Sequence, residues 1–281
     1  MPLTPTFALL LGVLQGLTEF LPISSSGHLA LAQYFFGASG SGAEHVAFDV
    51  VLHVGTLLAV VLVYRHSLRS LLGATLDAAF RAQTYRLPRA ALAASVELRL
   101  LLALFLGSVP TAAIGLLFQE QLESLFDRPA IVATMLLVTG GLLVLPRLFR
   151  SEPVDLEVVR PWQAIAIGIV QGLAITPGIS RSGSTISVAL LLGIAPALAA
   201  RYSFLLSIPA ILGALLLKLG DLELGSISAL EVGIGFVSAF LAGWASLTVL
   251  LAMLRRGRLA LFAIYCCALG GGVLIWLQIG G

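Results

Sequence analysis

A sixteen-residue segment rich in helix-breaking residues occurs twice in this chain. The first copy runs from Gly12 to Gly27 as GVLQGLTEFLPISSSG, and the second from Gly168 to Gly183 as GIVQGLAITPGISRSG. Eight of the sixteen aligned positions carry the same residue. Glycine and proline interrupt helices, and serine competes for backbone hydrogen bonds. In an apolar chain, a duplicated break of this kind predicts two half-sites that meet inside a membrane.

The composition indicates an integral membrane protein. The 281 residues are 59% hydrophobic and 11% charged, whereas a soluble domain carries about 25% charged residues. The net charge of +2 says little about partners, and no segment resembles a nucleic-acid-binding motif. The adjacent Cys266 and Cys267 cannot form a disulfide framework, and no metal-ligand spacing is present. Six stretches are long and apolar enough to span a bilayer, at about 46–64, 98–118, 130–148, 199–219, 229–253 and 259–278.

The repeated segments are predicted to enter the membrane without crossing it. Each lies in a longer region, about 7–36 and 162–195, where two short apolar arms flank the break. Neither arm can span alone, so each region is expected to form a re-entrant helical hairpin. Each half then has one hairpin and three spans, and an odd number of spans inverts the second half. The predicted fold is a single all-α membrane domain over 1–281, an inverted-topology repeat of about 1–150 and 156–281.

The basic residues predict which side of the membrane each connection occupies. Twelve arginines lie on three alternate connections, at 65–99, 147–161 and 255–258. The opposite connections are acidic and hold only Arg128, with Lys218 at a helix end. Because cytoplasmic loops are enriched in arginine and lysine, the three basic connections are predicted to be cytoplasmic and both termini to lie outside. The first hairpin then opens outward and the second inward, so that their tips can meet near the midplane.

The first break carries candidate catalytic and ligand-binding side chains. Gln15 and Glu19 are four residues apart and so share one face of a helix, and an ionisable residue inside a membrane is a functional candidate by default. Glu19 could instead be an interfacial residue without a role, and His28 a hydrogen-bonded structural histidine. Two of the three serines could serve only to satisfy the broken backbone. The candidates are Gln15, Glu19, Ser24, Ser25, Ser26, Gly27 and His28.

The second break has the features of an anion site. Arg181 supplies a planar guanidinium beside the start of the next helix, whose free N–H groups also favour an anion. The same arginine could instead pair structurally with Glu19 or Asp49. In the first copy of the repeat, Ser25 occupies the position aligned with Arg181. In the second copy, Ile175 occupies the position aligned with Glu19, so the two copies have diverged in charge. The further candidate binding residues are Ser180, Ser182, Gly183 and Thr185.

The two motifs resemble those of the bacterial undecaprenyl-diphosphate phosphatases, the bacitracin-resistance family. The stretch from Phe48 to Val61, FDVVLHVGTLLAVV, is also similar to the segment that follows the first motif in that family. The resemblance extends over the whole chain, with one departure: many members have glutamate where this chain has Gln15. The matching residues of the first motif are Gln15, Glu19, Ser24, Ser25, Ser26, Gly27 and His28. Those of the second motif are Pro177, Gly178, Ser180, Arg181, Ser182, Gly183 and Thr185.

The resemblance implies an enzyme of the bacterial plasma membrane with its active site open to the outer face. The implied substrate is a C55 polyprenyl diphosphate, and the products are the monophosphate that carries cell-wall precursors and inorganic phosphate. By the same resemblance, Ser25 is the first choice of nucleophile, Arg181 holds the terminal phosphate and His28 is a general base or acid. Glu19 orients His28 or holds a divalent cation, Mg²⁺ or Ca²⁺, to which Gln15 contributes less because it lacks a carboxylate. A water molecule activated by the cation is the alternative nucleophile.

A transporter or flippase of a phosphorylated lipid is the rival interpretation. Inverted repeats with broken helices near the midplane are common among transporters, and serines with one arginine can bind a lipid phosphate without cleaving it. Ser25, His28 and Glu19 together favour an enzyme, because binding alone does not require them.

The site is predicted to be shared, with Glu19 or Ser25 within reach of Arg181. Membrane lipids are the other expected partners, and the oligomeric state is left open between a monomer and a homodimer.

The predicted orientation can be tested with two single cysteines. In a chain without Cys266 and Cys267, cysteines introduced at Glu123 and at Arg86 should react with a membrane-impermeant thiol reagent from opposite sides of the membrane, because the charge pattern puts these connections on different sides. Labelling of both positions from one side contradicts the six-span arrangement.

Overall fold

The chain is built from helices. The computed structural model describes residues 4–36, 43–84, 95–149, 158–218 and 227–280. These ranges contain twelve helices and no strand. Some arginines on which the predicted orientation depends lie outside the described residues, namely Arg86, Arg89 and Arg150.

Seven helices precede the region that contains the second copy of the repeat, and five helices lie in that region and after it. The first seven are α1 (Pro5–Phe20), α2 (Ser25–Phe36), α3 (Ala43–Val63), α4 (Arg65–Thr84), α5 (Val96–Leu117), α6 (Gln119–Glu123) and α7 (Pro129–Phe149). The last five are α8 (Pro161–Leu173), α9 (Arg181–Leu191), α10 (Pro196–Lys218), α11 (Ala229–Arg255) and α12 (Leu261–Ile279).

The long helices confirm a multi-pass membrane protein. Five of them, α5, α7, α10, α11 and α12, are long and apolar enough to cross a bilayer. A sixth candidate span is Ala47–Val63, which passes the same test together with Arg65–Phe80, from which it is bent by 77°. Each of the six stretches predicted from the sequence coincides with one of these helices.

Helix α4 is an element that the sequence analysis did not predict. It occupies most of the segment 65–99, which was expected only to connect two spans. Arg65, Arg69 and Asp77 make this helix too polar to span, but its apolar residues recur at helical spacing. Leu71 is buried on one side of α4 and Leu76 is exposed on the other, so the helix has one packed face.

Small residues bring the two broken regions close to the long helices. Helix α1 packs along α11, and α8 packs along α5. A Cβ atom on Gly16 would lie 2.6 Å from the backbone oxygen of Ala239, and one on Gly168 would lie 2.1 Å from that of Gly107. Without side chains at these glycines, the helix backbones can touch, as they do in many membrane-helix interfaces.

Serine residues end the breaks and start the next helices in the same way. The Oγ of Ser24 accepts a hydrogen bond from the backbone N–H of Gly27 at 3.2 Å, and the Oγ of Ser180 accepts one from Gly183 at 3.1 Å. These are N-caps of α2 and α9. Ser24 has a φ of 70° and is the one non-glycine residue with positive φ in the described parts of the chain. The first break therefore keeps a backbone conformation that L-residues rarely adopt.

Gly168→Ala should destabilise the protein, because α5 and α8 would have to separate to admit the methyl group. Overpacking of this kind typically costs about 1–3 kcal/mol. Gly141→Ala is the matched control, since a Cβ atom there meets none of the described residues' atoms within 4 Å. Thermal unfolding in detergent should give a lower midpoint for Gly168→Ala alone. Equal midpoints for the two variants contradict the close approach of α5 and α8.

Candidate active site

The two breaks touch each other at two glycines. A Cβ atom on Gly27 would lie 3.0 Å from the Cα of Gly178, and one on Gly183 would lie 3.0 Å from the Cβ of Pro22. Gly27 and Gly183 occupy the same position in the two copies of the repeat, and so do Pro22 and Gly178. The contact is therefore reciprocal, and a side chain at either glycine would push the two breaks apart.

Glu19 lies where the two breaks meet and connects them. Its Oε1 accepts a hydrogen bond from Nη2 of Arg181 at 2.6 Å. Its Oε2 accepts one from Oγ of Ser25 at 2.7 Å and one from Nε2 of Gln15 at 3.2 Å. The Glu19 side chain is 8% exposed and that of Arg181 16%, so the charges are mostly removed from solvent and stabilise each other. The prediction that Arg181 lies within reach of Glu19 or Ser25 is confirmed.

Two polar atoms at this site are buried without a partner. Nη1 of Arg181 and Oε1 of Gln15 make no hydrogen bond with any described residue. Buried polar groups in native proteins are nearly always paired. The free N–H groups of Arg181 are donors for an anion, and the free amide oxygen of Gln15 is a candidate acceptor or cation ligand.

A cavity of about 140 Å³ lies beside the ion pair. Its polar side comes from both breaks, and its apolar side comes from the second break alone. The polar lining residues are Thr18, Glu19, Ser24, Ser25, Ser26, Ser180 and Arg181, and the apolar ones are Ala174, Ile175 and Ile179. Ser24, Ser26 and Ser180, which the sequence predicts to bind a ligand, therefore line the cavity. Their contact with a ligand stays a prediction.

The other predicted binding residues contact the opposite break or a neighbouring helix. The Oγ of Ser182 donates to the backbone oxygen of Phe20 at 3.0 Å, and Oγ1 of Thr185 is 2.5 Å from Oγ of Ser203. Gly27 and Gly183 make the contacts between the breaks described above. These four residues are not among those that line the cavity, and a role for them in binding a ligand stays a prediction.

His28 is held from both sides. Its Nδ1 lies 2.7 Å from the backbone oxygen of Ser24, and its Nε2 lies 2.7 Å from the hydroxyl of Tyr265. Because a carbonyl oxygen can only accept, Nδ1 carries the proton, and in the neutral ring Nε2 accepts from Tyr265. Both ring nitrogens are thus engaged away from Glu19, which was expected to orient His28. The structure instead joins Glu19 to Ser25, and the role of His28 as acid or base stays a prediction.

Residues of the long helices support each break from the opposite half of the chain. Thr139 of α7 donates to the backbone oxygen of Gly178 at 2.8 Å and accepts from the N–H of Ser180 at 3.0 Å. Cys266 of α12 lies 3.7 Å from the backbone oxygen of Pro22. Sequence reasoning missed these supports and Tyr265, because single polar residues in apolar spans form no local motif. Their one signal is that each lies in the third span of its half.

The donor atoms fit a divalent cation only in part. No group of three or more His, Cys, Asp or Glu side chains that could hold a metal ion occurs among the described residues. Glu19 is the one acidic residue lining the cavity, and Gln15 adds an unpaired oxygen. Such oxygen donors suit Mg²⁺ or Ca²⁺. Arg181 repels a cation at this position, so the site fits one only together with an anionic ligand.

The fold and the site define a multi-pass membrane protein with a mostly buried polar site where two broken helices meet. Residues 8–272 match the family model described as "Bacitracin resistance protein BacA". The chain is 44% identical to an undecaprenyl-diphosphatase of Syntrophotalea carbinolica over 94% of this chain and 95% of that protein. It is 46% identical to one of Desulfosudis oleivorans, with 97% and 98% covered. The chain therefore belongs to the BacA family, which confirms the resemblance found in its motifs.

Tyr265→Phe should change the environment of the His28 ring without removing its contact with Ser24. In protein labelled with ¹⁵N-histidine, the Nε2 resonance of His28 should shift, because that nitrogen loses its hydroxyl donor. His28→Asn identifies the signal among the four histidines. Tyr34→Phe, on the exposed end of α2, is the control. An unchanged Nε2 resonance in Tyr265→Phe contradicts the hydrogen bond.

Proposed function

We propose that this protein hydrolyses undecaprenyl diphosphate to undecaprenyl phosphate and inorganic phosphate, and so recycles the lipid carrier of cell-wall synthesis. One observation carries the proposal: the Ser25 hydroxyl donates to the Glu19 carboxylate at 2.7 Å, beside an arginine with a buried, unpaired Nη1. This arrangement has a nucleophile, an acceptor for its proton and a donor for phosphate. The names of the relatives point to the same reaction.

Arg181 binds the terminal phosphate in this proposal. Its Nη2 remains paired with Glu19, which fixes the direction of the guanidinium, while Nη1 donates to the phosphate. Phosphoryl transfer depends mainly on the alignment of the reacting groups and on neutralising charge that spreads over the equatorial oxygens. A fixed guanidinium that is mostly removed from solvent supplies both.

Ser25 attacks the terminal phosphorus, and the bond between that phosphorus and the bridging oxygen breaks. Undecaprenyl phosphate leaves, and the proton of Ser25 passes to Glu19, which already accepts its hydrogen bond. Water then cleaves the phosphoserine, returning a proton to Ser25 and its hydroxyl to the phosphate, and Glu19 releases the proton that it took up in the first step. His28 is the alternative base and would first have to leave Tyr265. Direct attack by water, with Ser25 as a binding group, is the alternative first step.

A divalent cation would be held by Glu19 and Gln15 together with diphosphate oxygens. Oε1 of Gln15 is buried without a partner, and rotation of the amide would turn this oxygen toward Glu19. When bound, the cation supplies neutralising charge for the diphosphate. Because the positive charge of Arg181 repels a cation, the cation would bind only together with the anionic substrate.

The reciprocal contacts support an inverted-topology repeat in which each broken region is a re-entrant hairpin. Pro22 and Gly178, which are aligned in the repeat, contact Gly183 and Gly27 respectively. Helices α1 and α8 both pack on the second span of the opposite half, α11 and α5. A twofold relation between the halves, with its axis in the membrane plane, accounts for these pairs of equivalent contacts.

The site is proposed to open to the outer face of the bacterial plasma membrane, with both termini outside. The arginines of the connections that are predicted to be cytoplasmic support this orientation, and they include Arg65 and Arg69 at the start of α4. A flippase would need a binding site but would not need the hydrogen bond between Ser25 and Glu19. A homodimer stays a prediction.

Release of phosphate from undecaprenyl diphosphate by the purified protein tests the proposed reaction. Wild-type protein in detergent should release one phosphate for each lipid monophosphate formed, and Ser25→Ala should release far less. Binding of the lipid without release of phosphate would overturn the proposal in favour of a carrier.

Arg181→Lys should lose most of the activity although it keeps the charge. A lysine cannot hold Glu19 with one nitrogen and phosphate with another in a fixed plane, and loss of a transition-state donor typically lowers kcat about 10²–10³-fold. Arg128→Lys, at an exposed position on a predicted outer connection, is the matched control and should leave kcat unchanged. Near-normal turnover in Arg181→Lys contradicts the role given to the guanidinium.

A further inference from the structure

We propose that Ile175 and Ile179, with Ala174, bind the first isoprenoid units of the substrate's lipid chain. This inference rests on the proposed function, because it assigns the second part of the same substrate to the same cavity. The polar side of the cavity would then bind the diphosphate, and the apolar side would determine what is attached to it.

The cavity is divided by chemistry. Its acid and three of its serines come from the first break, while the second break supplies Ser180, Arg181 and all three apolar lining residues. A site for a free inorganic anion needs no apolar wall. A diphosphate joined to a hydrocarbon needs one at the carbon next to the diphosphate, because the chain has to leave the polar site without exposing polar groups to lipid.

The apolar wall continues to the outer surface of the helices. Ile175 lines the cavity and is also 37% exposed. A Cβ atom on Gly115 of α5 would lie 3.2 Å from Cδ1 of Ile175, so α5 borders this residue closely. The residues that follow Gly115 on α5, Leu116 and Leu117, are 57% and 73% exposed. Ile175 thus connects the cavity with an exposed apolar surface of the helices.

The repeat offers an independent reason to assign opposite tasks to the two sides. Ile175 occupies the position that Glu19 has in the first copy. A twofold-related site with two acids would place like charges around one diphosphate. With glutamate on one side and isoleucine on the other, the site has a head end and a tail end, which matches an amphipathic substrate.

The test compares Ile175→Ser with Leu173→Ser in the full-length protein. Leu173 is also an exposed apolar residue, at 53%, but it is not among those that line the cavity. Two quantities are measured: the KM for undecaprenyl diphosphate and the Ki of inorganic diphosphate, which occupies only the head end. Hydrophobic contacts of a methylene are worth roughly 10–200-fold in specificity.

Ile175→Ser should raise the KM for the lipid at least about tenfold and leave the Ki of inorganic diphosphate unchanged. Leu173→Ser should change neither, and Ile175→Val should lie between wild type and Ile175→Ser. An unchanged KM in Ile175→Ser overturns the inference, and so does a parallel rise in KM and Ki, which indicates a disturbed site. Absence of phosphate release by the wild type instead overturns the proposed function, so the two failures are distinguishable.

Discussion

The ion pair between Glu19 and Arg181 is the interaction on which the rest of the structure depends. An unpaired charge in the membrane interior costs several kcal/mol, and these two side chains come from segments far apart in the sequence. Each broken region therefore pairs its charge only when it meets the other. The same pairing holds Ser25 and the guanidinium on one carboxylate, so the contact that joins the two breaks also forms the site.

The surrounding structure keeps the two breaks close enough for that pair to form. Gly27 and Gly183 have no side chain, so the opposite break can approach them closely. Thr139 and Cys266 contact backbone oxygens of the breaks that are not bonded within a helix. Irregular backbone is tolerated at membrane depth only where protein satisfies it. Each half of the chain supplies these contacts for the other, so each break depends on the opposite half to pair its backbone.

Much of this arrangement could be predicted from the sequence because the physical constraints are local or absolute. Spans follow from apolar length, and an acid and a base in matching apolar segments have few partners besides each other. The bond between His28 and Tyr265 could not be predicted, since it joins residues 237 positions apart without a shared motif. Helix α4 was missed because its arginines outweigh its apolar residues in any average over its length. The position of Ile175 in the wall of the cavity could not be predicted either, because residues of both breaks form that cavity.

The position of a bound substrate analogue tests the central claim most directly. A structure of the protein with a non-hydrolysable methylene diphosphonate of a prenyl alcohol should place the terminal phosphonate between Arg181 and Ser25. Nη1 of Arg181 should then donate to it at about 2.7–2.9 Å, as charge-assisted bonds do, and the first isoprenoid unit should lie against Ile175. A phosphonate bound elsewhere, with Nη1 of Arg181 still unpaired, contradicts the account.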